Sequence, residues 1–448
     1  MRTCLDSIRP CLEGAAPSLL ATCDAAGIPN VTYVSQVHYV DREHVALTFQ
    51  FFNKTRENIL ANPQATALLL HPQTSARYRL ALLYRRTETS GPLFESMKAK
   101  LAGIASQTGM SGVFRLQGAD IYQVLDIEHV PGPEAEAGDP GCNRLSSQRR
   151  VIECLQRCSD LDSLMEQALA GLDSAFGMTH AMLLFHDAPG RKLYTVASRG
   201  YAHSGIGSEF PLGHGIIGTA AEFRTPIRIM HMASEYAYSQ AVRAHAAGAG
   251  MADLLETAIP FPGLAEPHSQ LSVPVIAAGR LLGVLHVESP EPNRFSYDDE
   301  DMLVGIAAAL GGAVLALQQA SECAPDEPAA AAAATAPPGS TLTLRHYAGN
   351  DSVFIGEDYL IKGVAGAIFW RLLTLQATEQ RSEFSNRELR LDPALKLPDL
   401  DDNLEARLIL LRRRLAERSR DIALEKTGRG RFRLVLRRPV QLQEMPAR

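Results

Sequence analysis

Hydrophobic and polar positions alternate with a period of two through much of the first 130 residues, the pattern of strands with one buried face. Ser18–Thr22 is a short apolar run, Asp24–Pro29 (DAAGIP) a turn, and Val31–Tyr39 and Val45–Phe51 two further strands. Asn53–Ala61 breaks the alternation and predicts a helix, with Asn53 placed to cap it and Pro63 beyond its end. Strands resume at Thr66–Leu70 and Tyr78–Glu88, a helix is expected over Gly91–Ala105, and a last strand over Gly112–Val124.

Helical spacing then takes over, and Ser146–Phe176 predicts one long amphipathic helix. Strands follow at Ala181–Phe185 and Leu193–Ser198, and Ser269–Ser289 (SQLSVPVIAAGRLLGVLHVES) predicts a hairpin turning at Gly279. The helix Ser296–Gln319 opens SYDDEDML, which sets acidic residues at the positive end of the helix dipole. The last part mixes short strands (Leu342–His346, Val353–Ile355, Tyr359–Leu360) with helices at Gly363–Leu375, Asn386–Leu391 and Asn403–Arg418. It ends in a hairpin of Ile422–Glu425 and Phe432–Leu436 around Gly428-Arg429-Gly430.

Two stretches interrupt these patterns. Pro131–Pro140 (PGPEAEAGDP) is polar and rich in Pro and Gly, and Cys323–Ser340 is an Ala/Pro run that behaves as a semi-stiff spacer. They divide the chain into residues 1–130, a linker 131–144, residues 145–320, a linker 321–340, and residues 341–448. At roughly 100–200 residues per domain, three domains fit the length.

Charge changes the picture only at the end of the chain. The net charge is −6, yet residues 341–448 carry 20 Lys and Arg against 15 Asp and Glu, a local +5 that leaves −11 for the rest. Such asymmetry points to a polyanion-binding tail. Met1–Pro10 lacks the apolar run of a secretory signal, and no 18 consecutive residues are uninterruptedly apolar, so neither export nor a membrane span is expected. The seven cysteines, Cys4, Cys11, Cys23, Cys142, Cys154, Cys158 and Cys323, form no paired framework and read as reduced cytoplasmic thiols. Cys154 and Cys158 sit one helical turn apart with Cys142 upstream, but no fourth ligand stands at metal-binding spacing, so no metal site is assigned.

In Asn403–Arg418 (NLEARLILLRRRLAER), Leu404, Leu408, Leu411 and Leu415 form a core-facing stripe. Arg407, Arg412, Arg413, Arg414 and Arg418 lie off it. Lys426, Arg429, Arg431 and Arg433 follow in the hairpin, giving 12 basic and 3 acidic residues from Arg407 to Arg438. A helix presenting arginines beside a basic hairpin suits duplex DNA, the helix in the major groove and the hairpin on phosphates. The alternative is a solvated basic face. The element order and the run ending EKTGRGRFRLVL resemble the OmpR-type winged helix-turn-helix domain, which implies DNA contacts from Arg407, Arg412, Arg413, Arg414, Arg418, Lys426, Arg429 and Arg431. No receiver domain precedes it, so its input would come from the other two units.

Gly213-His214-Gly215-Ile216-Ile217-Gly218 satisfies the dinucleotide pattern G-x-G-x-x-G, with Glu235 near the usual acidic offset. No buried parallel strand precedes it, so a dinucleotide fold is rejected. PLGHGIIGTAAEFRTPIRI, LSVPVIAAGRLLGVLHVES and FSYDDEDMLVGIAAALGGAVLAL instead resemble the central element, closing hairpin and final helix of the α/β GAF domain. That resemblance implies a small-molecule pocket, for which His214, Tyr236, Tyr238 and Arg243 are the candidates, and a homodimer built on the flanking helices. The stretch His231–Ala265 reads as a lid or a plain loop. Eight of 13 histidines fall in this unit, and some GAF relatives bind haem, so haem is one cofactor to test.

ATCDAAGIPNVTYVSQVHYVDREHVALTFQFFNKTRENILANPQATALLL resembles the FMN-binding β split barrel of the pyridoxamine-phosphate-oxidase type. The resemblance implies a flavin phosphate held by Gln50, Asn53, Lys54, Thr55 and Asn58 at a helix N-terminus. Tyr33, Gln36 and His38 stand where the family carries a further basic pair. A barrel used only for dimerisation is the alternative. No nucleophile–base spacing, G-x-S-x-G elbow or Walker loop occurs, so no catalytic residue is assigned. Two readings follow. One is a one-component sensor and transcription regulator, with a split barrel, a GAF domain and a DNA-binding tail. The other is a flavin- or haem-dependent oxidoreductase with accessory regulatory domains.

Overall fold

The alternation of the first unit becomes a seven-stranded antiparallel sheet. After a 3₁₀ helix, Leu5–Leu12, come β1 (Ser18–Cys23), β2 (Pro29–Val34), β3 (Val37–Tyr39) and β4 (His44–Phe49), then α1 (Lys54–Ala61), β5 (Gln64–Leu70), β6 (Arg77–Glu88), α2 (Pro92–Gln107) and β7 (Gly118–Val130). The strand order is β2-β1-β5-β6-β7-β4-β3. Inward residues such as Leu20, Val45, Leu69, Leu80, Leu82 and Tyr122 fill its core. The structure is a computed structural model and describes residues 4–12, 18–34, 37–49, 54–72, 74–107, 116–134, 144–230, 259, 261–322, 341–395, 404–428 and 430–445.

The expected strand Val31–Tyr39 is two strands at opposite edges of this sheet, because Val34 pairs back to Ser18 while Val37 pairs to Leu47. The last strand runs six residues further than expected, since β6 keeps a partner for it as far as Val130.

The second unit comprises α3 (Arg144–Gln156), α4 (Leu161–Phe176), β8 (His180–Asp187), β9 (Lys192–Arg199), β10 (Glu209–Pro211), α5 (Gly215–Phe223), β11 (Ile227–Ile229), β12 (Ser269–Ala277), β13 (Arg280–Ser289) and α6 (Tyr297–Glu322). Its sheet has the order β10-β9-β8-β13-β12-β11. Helices α3, α4 and α6 bury one face, with Leu183, Phe185, Val273 and Leu285 against Leu164, Leu172, Leu303 and Leu310. On the other face Met182, Leu184 and Val284 pack on Ile217 and Ala221 of α5.

The single helix expected over Ser146–Phe176 is broken, because the Asp160 carboxylate caps a new helix by accepting from the amides of Asp162 (3.1 Å) and Ser163 (3.0 Å). By length and composition alone α6 could cross a membrane. Its apolar residues Met302, Leu303, Ile306, Leu310 and Val314 are instead core of this unit.

The third unit holds β14 (Leu342–Tyr347), β15 (Ser352–Ile355), β16 (Asp358–Ile361), α7 (Gly363–Glu379), β17 (Glu383–Ser385), α8 (Asn386–Leu391), α9 (Leu404–Arg418), β18 (Ile422–Gly428), β19 (Arg431–Leu436) and β20 (Val440–Met445). Two sheets flank the helices, β16-β15-β14-β20 and β17-β19-β18. Strand β20, absent from the sequence-based expectation, runs parallel to β14.

The barrel docks on the second unit in two places. Ala99 of α2 sits among Ile216 and Ala220 of α5 and Ile227 and Ile229 of β11. Tyr297, the first residue of α6, enters the barrel's core and donates its hydroxyl to the Leu12 carbonyl at 3.2 Å. Arg9, Lys100 and Arg228 lie 5.0, 5.7 and 4.3 Å from its ring centroid. Glu300 neutralises Arg228 at 2.9 Å and Lys100 at 3.6 Å.

Candidate functional site

Helix α1 follows β4 through residues 50–53, so its N-terminus is the place for an anion in the barrel. Gln50 and Asn53 lie outside the described residues. Lys54 is exposed, but Thr55 and Asn58 turn inward. Thr55 accepts from the Asn30 amide at 2.8 Å, and the Asn58 amide donates to the Thr22 hydroxyl at 3.2 Å. Arg56, which sequence reasoning passed over, pairs with the buried Asp120 and donates to the Thr87 hydroxyl at 3.0 Å. Thr87 in turn donates to Asp120 at 2.6 Å.

His38 is buried, and its burial, with the nearby charge of Lys100, pushes its pKa down to about 3. It is neutral at pH 7 and lends no charge to a phosphate. Of the described candidates, Lys54 alone is exposed to meet a flavin phosphate. The amide and hydroxyl are spent within the barrel, and the arginine is already matched by a carboxylate.

The G-x-G-x-x-G run has a mechanical explanation. Gly213 and Gly215 adopt positive φ where the chain turns from β10 into α5. A Cβ on Gly218 would stand 2.3 Å from the Pro211 carbonyl oxygen. The glycines thus press α5 onto the end of β10. His214 lies at the N-cap of α5, exposed and making no side-chain cap bond. Tyr236, Tyr238 and Arg243 lie outside the described residues.

A different polar cluster occupies the α5 side of this sheet. Paired positions of the β12–β13 hairpin set Gln270 across from Glu288 and Ser272 across from His286. Glu288 is 3% and His286 2% exposed. Glu288 accepts from the Leu264 amide at 2.7 Å and the Gln270 side chain at 3.1 Å, and His286 Nε2 lies 3.8 Å away. His286 Nδ1 and the Ser272 hydroxyl are 2.8 Å apart. Burial alone would raise the Glu288 pKa, but His286, the Leu264 amide and Gln270 outweigh it and hold the carboxyl below its ordinary range. The phenol of Tyr201 is buried beside this carboxylate, and both effects push its pKa up.

The cluster is a buried polar patch whose groups partner one another and the Leu264 amide. His286 faces a hydroxyl on one nitrogen and a carboxylate on the other, so it does not fit a haem ligand. Sequence reasoning took the histidines singly and missed the H-x-E alternation at His286 and Glu288 facing Q-x-S at Gln270 and Ser272 on the opposite strand.

The basic stock of the tail is placed otherwise than expected. Leu404, Leu408, Leu411 and Leu415 are buried as anticipated, but Ala406, Ile409 and Leu410 are buried too, because α9 is covered on its second face by the GAF-like unit. Arg407 is only 5% exposed, with its guanidinium over the Tyr194 ring and 3.3 Å from Asp187. Arg412 meets Asp162 at 2.5 Å. Arg413 donates to Asp162 at 2.8 and 3.0 Å and to the Val196 carbonyl at 3.0 Å.

Arg414 turns into the tail itself, donating to the Leu360 carbonyl at 2.9 Å. These four arginines do not face solvent as a helix face off the apolar stripe would. Lys426 is exposed with Asp160 at 3.9 Å, Arg418 is exposed, Arg431 is half-buried, and Arg429 lies outside the described residues. A cleft at this seam is lined by Asp160, Asp162, Leu408, Arg412, Lys426 and Phe432, among others.

Elsewhere, Cys154 donates to Gln167 and Cys158 to the Cys154 carbonyl, while Cys142 lies outside the described residues. Among the described residues no three metal-ligating side chains converge.

Comparison with known proteins assigns two of the three units. Residues 158–314 match the GAF domain family, and residues 5–124 match the pyridoxamine 5'-phosphate oxidase family. No curated protein sequence matches the chain. Among solved structures, the GAF domain of a phosphoenolpyruvate-protein phosphotransferase from Acinetobacter is 19% identical, covering 42% of this chain and all of that one at a TM-score of 0.31. An FMN-binding protein from Syntrophomonas wolfei is 15% identical over 29% of this chain and 86% of its own, with a TM-score of 0.25. Free methionine-R-sulfoxide reductase from Neisseria meningitidis, solved with its substrate, is 20% identical over 41% of this chain and 96% of its own, with a TM-score of 0.31. The two family matches set a split-barrel region, residues 5–124, ahead of a GAF-domain region, residues 158–314.

Proposed function

We propose that the chain is a cytoplasmic, ligand-responsive regulator in which the GAF domain receives a small molecule and the tail binds duplex DNA as a winged helix. One observation carries this reading. Helix α9, which holds five of the tail's 17 arginines, is bolted directly to β8 and α4 of the GAF domain through Arg407, Arg412 and Arg413. A change in the GAF domain therefore has a short physical route to the most basic element of the chain.

Support for the winged helix comes from its order of parts: a β14–β16 sheet, helices α7 to α9, then the β18–β19 hairpin carrying Lys426 and Arg431. Support for a ligand comes from the match of residues 158–314 to the GAF domain family. A homodimer would pair two such tails with the two-fold symmetry of a repeated half-site.

The test is retention of duplex DNA by the full chain across a salt series, for the wild type and for a variant with Asp162→Asn and Asp187→Asn. Phosphate contacts predict a steep fall in affinity with salt, and Arg418→Ala is expected to reduce the slope by about one. No retention at low salt by either protein overturns the reading. The competing flavin oxidoreductase has the family match of the barrel in its favour and the inward Thr55, Asn58 and Arg56 against it.

A further inference from the structure

The arginines of α9 meet carboxylates in the way they would meet phosphates. Asp162, in the first turn of α4, takes Arg412 at 2.5 Å and Arg413 at 2.8 Å, and Glu166 one turn on lies 3.7 Å from Arg413. Asp187 at the end of β8 takes Arg407 at 3.3 Å, and Asp160 faces Lys426 at 3.9 Å. Two outer contacts extend the seam, from the Ser204 hydroxyl to Glu417 at 2.5 Å and from Lys362 to Glu209 at 3.4 Å. Guanidinium groups use the same planar fork for carboxylate and phosphate, so one arginine does not serve both at once. A helix must also present an open face to enter a groove about 12 Å wide. Here that face lies on β9 and α4.

We propose that the acidic α4–β8 edge of the GAF domain is an internal competitor for the DNA-binding face of α9, so that duplex DNA takes α9 only once the tail has left the GAF domain. This rests on the reading that the tail binds DNA. The chain permits the movement, because the tail is joined to α6 by residues 323–340, which as an extended chain reach about 60 Å. The seam combines buried apolar side chains, Ile409 and Leu410 among them, with ion pairs, and loss of its carboxylates strands the arginines and weakens it.

The test compares three full-length proteins: wild type, the Asp162→Asn/Asp187→Asn variant, and an Asp173→Asn control. Asp173 pairs within the GAF domain with Arg199, so the control changes charge without touching the seam. Duplex affinity is measured by fluorescence anisotropy at fixed salt, and tail release by the maximum dimension in small-angle scattering. The double variant is expected to lengthen and to bind DNA at least tenfold more tightly than wild type, with the control unchanged.

Lengthening with equal DNA affinity overturns the competition and leaves the DNA reading standing. Lengthening with no DNA binding in any protein overturns the DNA reading, and the competition with it. No lengthening and no gain in affinity shows that these carboxylates do not hold the tail, which overturns the inference alone where wild type binds DNA. If the double variant does not fold, Asp162→Asn alone serves, since it keeps the shape of the residue and removes the charge shared by two arginines. In wild type, adding duplex DNA must by itself lengthen the particle beyond the bound duplex, and a particle that stays docked overturns the proposal.

Discussion

The guanidinium carbon of Arg407 lies 3.8 Å from the centroid of the Tyr194 ring, with Asp187 3.3 Å from one of its nitrogens. Both charged side chains are almost fully buried at this seam. Truncating one member of a buried pair strands the other, at a cost of about 3 kcal/mol or more. Arg407→Ala is therefore expected to lower the urea midpoint of the full chain. Arg418→Ala, on the exposed end of the same helix, is expected to change stability by no more than about 0.5 kcal/mol. Equal midpoints for the two variants would show that Arg407 contributes no more than a surface charge.

His38 gives the barrel a pH dependence of definite sign. Burial first, and the charge of Lys100 second, push its pKa down to about 3 from an ordinary 6.5. The unfolded chain takes up this proton below pH 6.5, and the folded chain refuses it until about pH 3. Stability is therefore full above pH 6.5 and falls as pH drops, with a slope approaching about 1.4 kcal/mol per unit. Glu300 acts in a lower window. Its burial favours protonation, but Lys100 and Arg228 outweigh that and hold its pKa below 4.5, so its contribution fades only as pH falls below that value. Burial also lowers the pKa of His71 and His186, so denaturant titrations between pH 7 and 4.5 isolate His38 only as the difference between wild type and His38→Gln. The variant should lose part of the slope there, and an unchanged slope would falsify the assignment.

Tyr297 joins the barrel to the GAF domain. Its ring is buried among Arg9, Lys100 and Arg228, and its hydroxyl reaches the Leu12 carbonyl. Tyr297→Phe removes one hydrogen bond and should cost about 1 kcal/mol. Tyr297→Ala removes the ring as well and should cost about 3–5 kcal/mol. Because the ring spans two domains, the alanine variant should also split one calorimetric transition into two. A single transition at the wild-type temperature would mean that Ala99 and its neighbours hold the contact alone.

These residues show what the sequence made legible. The Ser269–Ser289 hairpin and its Gly279 turn follow from alternation within one short segment. The Leu404–Leu415 stripe follows from helical spacing. Such signals are local, and local patterning dictates which face is apolar. It does not reveal what a charged face meets when the partner is distant in the chain. Arg413 reads as a solvated arginine until Asp162, 251 residues earlier, is brought beside it. The break at Asp160 was visible in principle, since an Asp followed by an apolar helical run is a cap signal, but the flanking helical periodicity hid it. The polar patch around Glu288 was hidden by the same alternation that revealed its strand, because inward polar residues there look like the solvent face of an edge hairpin.

The barrel supplies the last prediction. A flavin phosphate needs donors that point outward at the N-terminus of α1. Of the described candidates Thr55 and Asn58 point inward, and the adjacent Arg56 is held by Asp120 and Thr87. Titrating FMN into the full chain should leave flavin fluorescence unquenched through the micromolar range. The pair also predicts how binding would be gained. Asp120→Asn removes the carboxylate that neutralises Arg56, so this variant should take up inorganic phosphate or FMN more tightly than wild type, measured by calorimetry. Arg56→Ala in the same background should abolish that gain. Stoichiometric FMN binding by wild type, with no effect of Asp120→Asn, would place the flavin in the barrel independently of this arginine and return the oxidoreductase reading to the front.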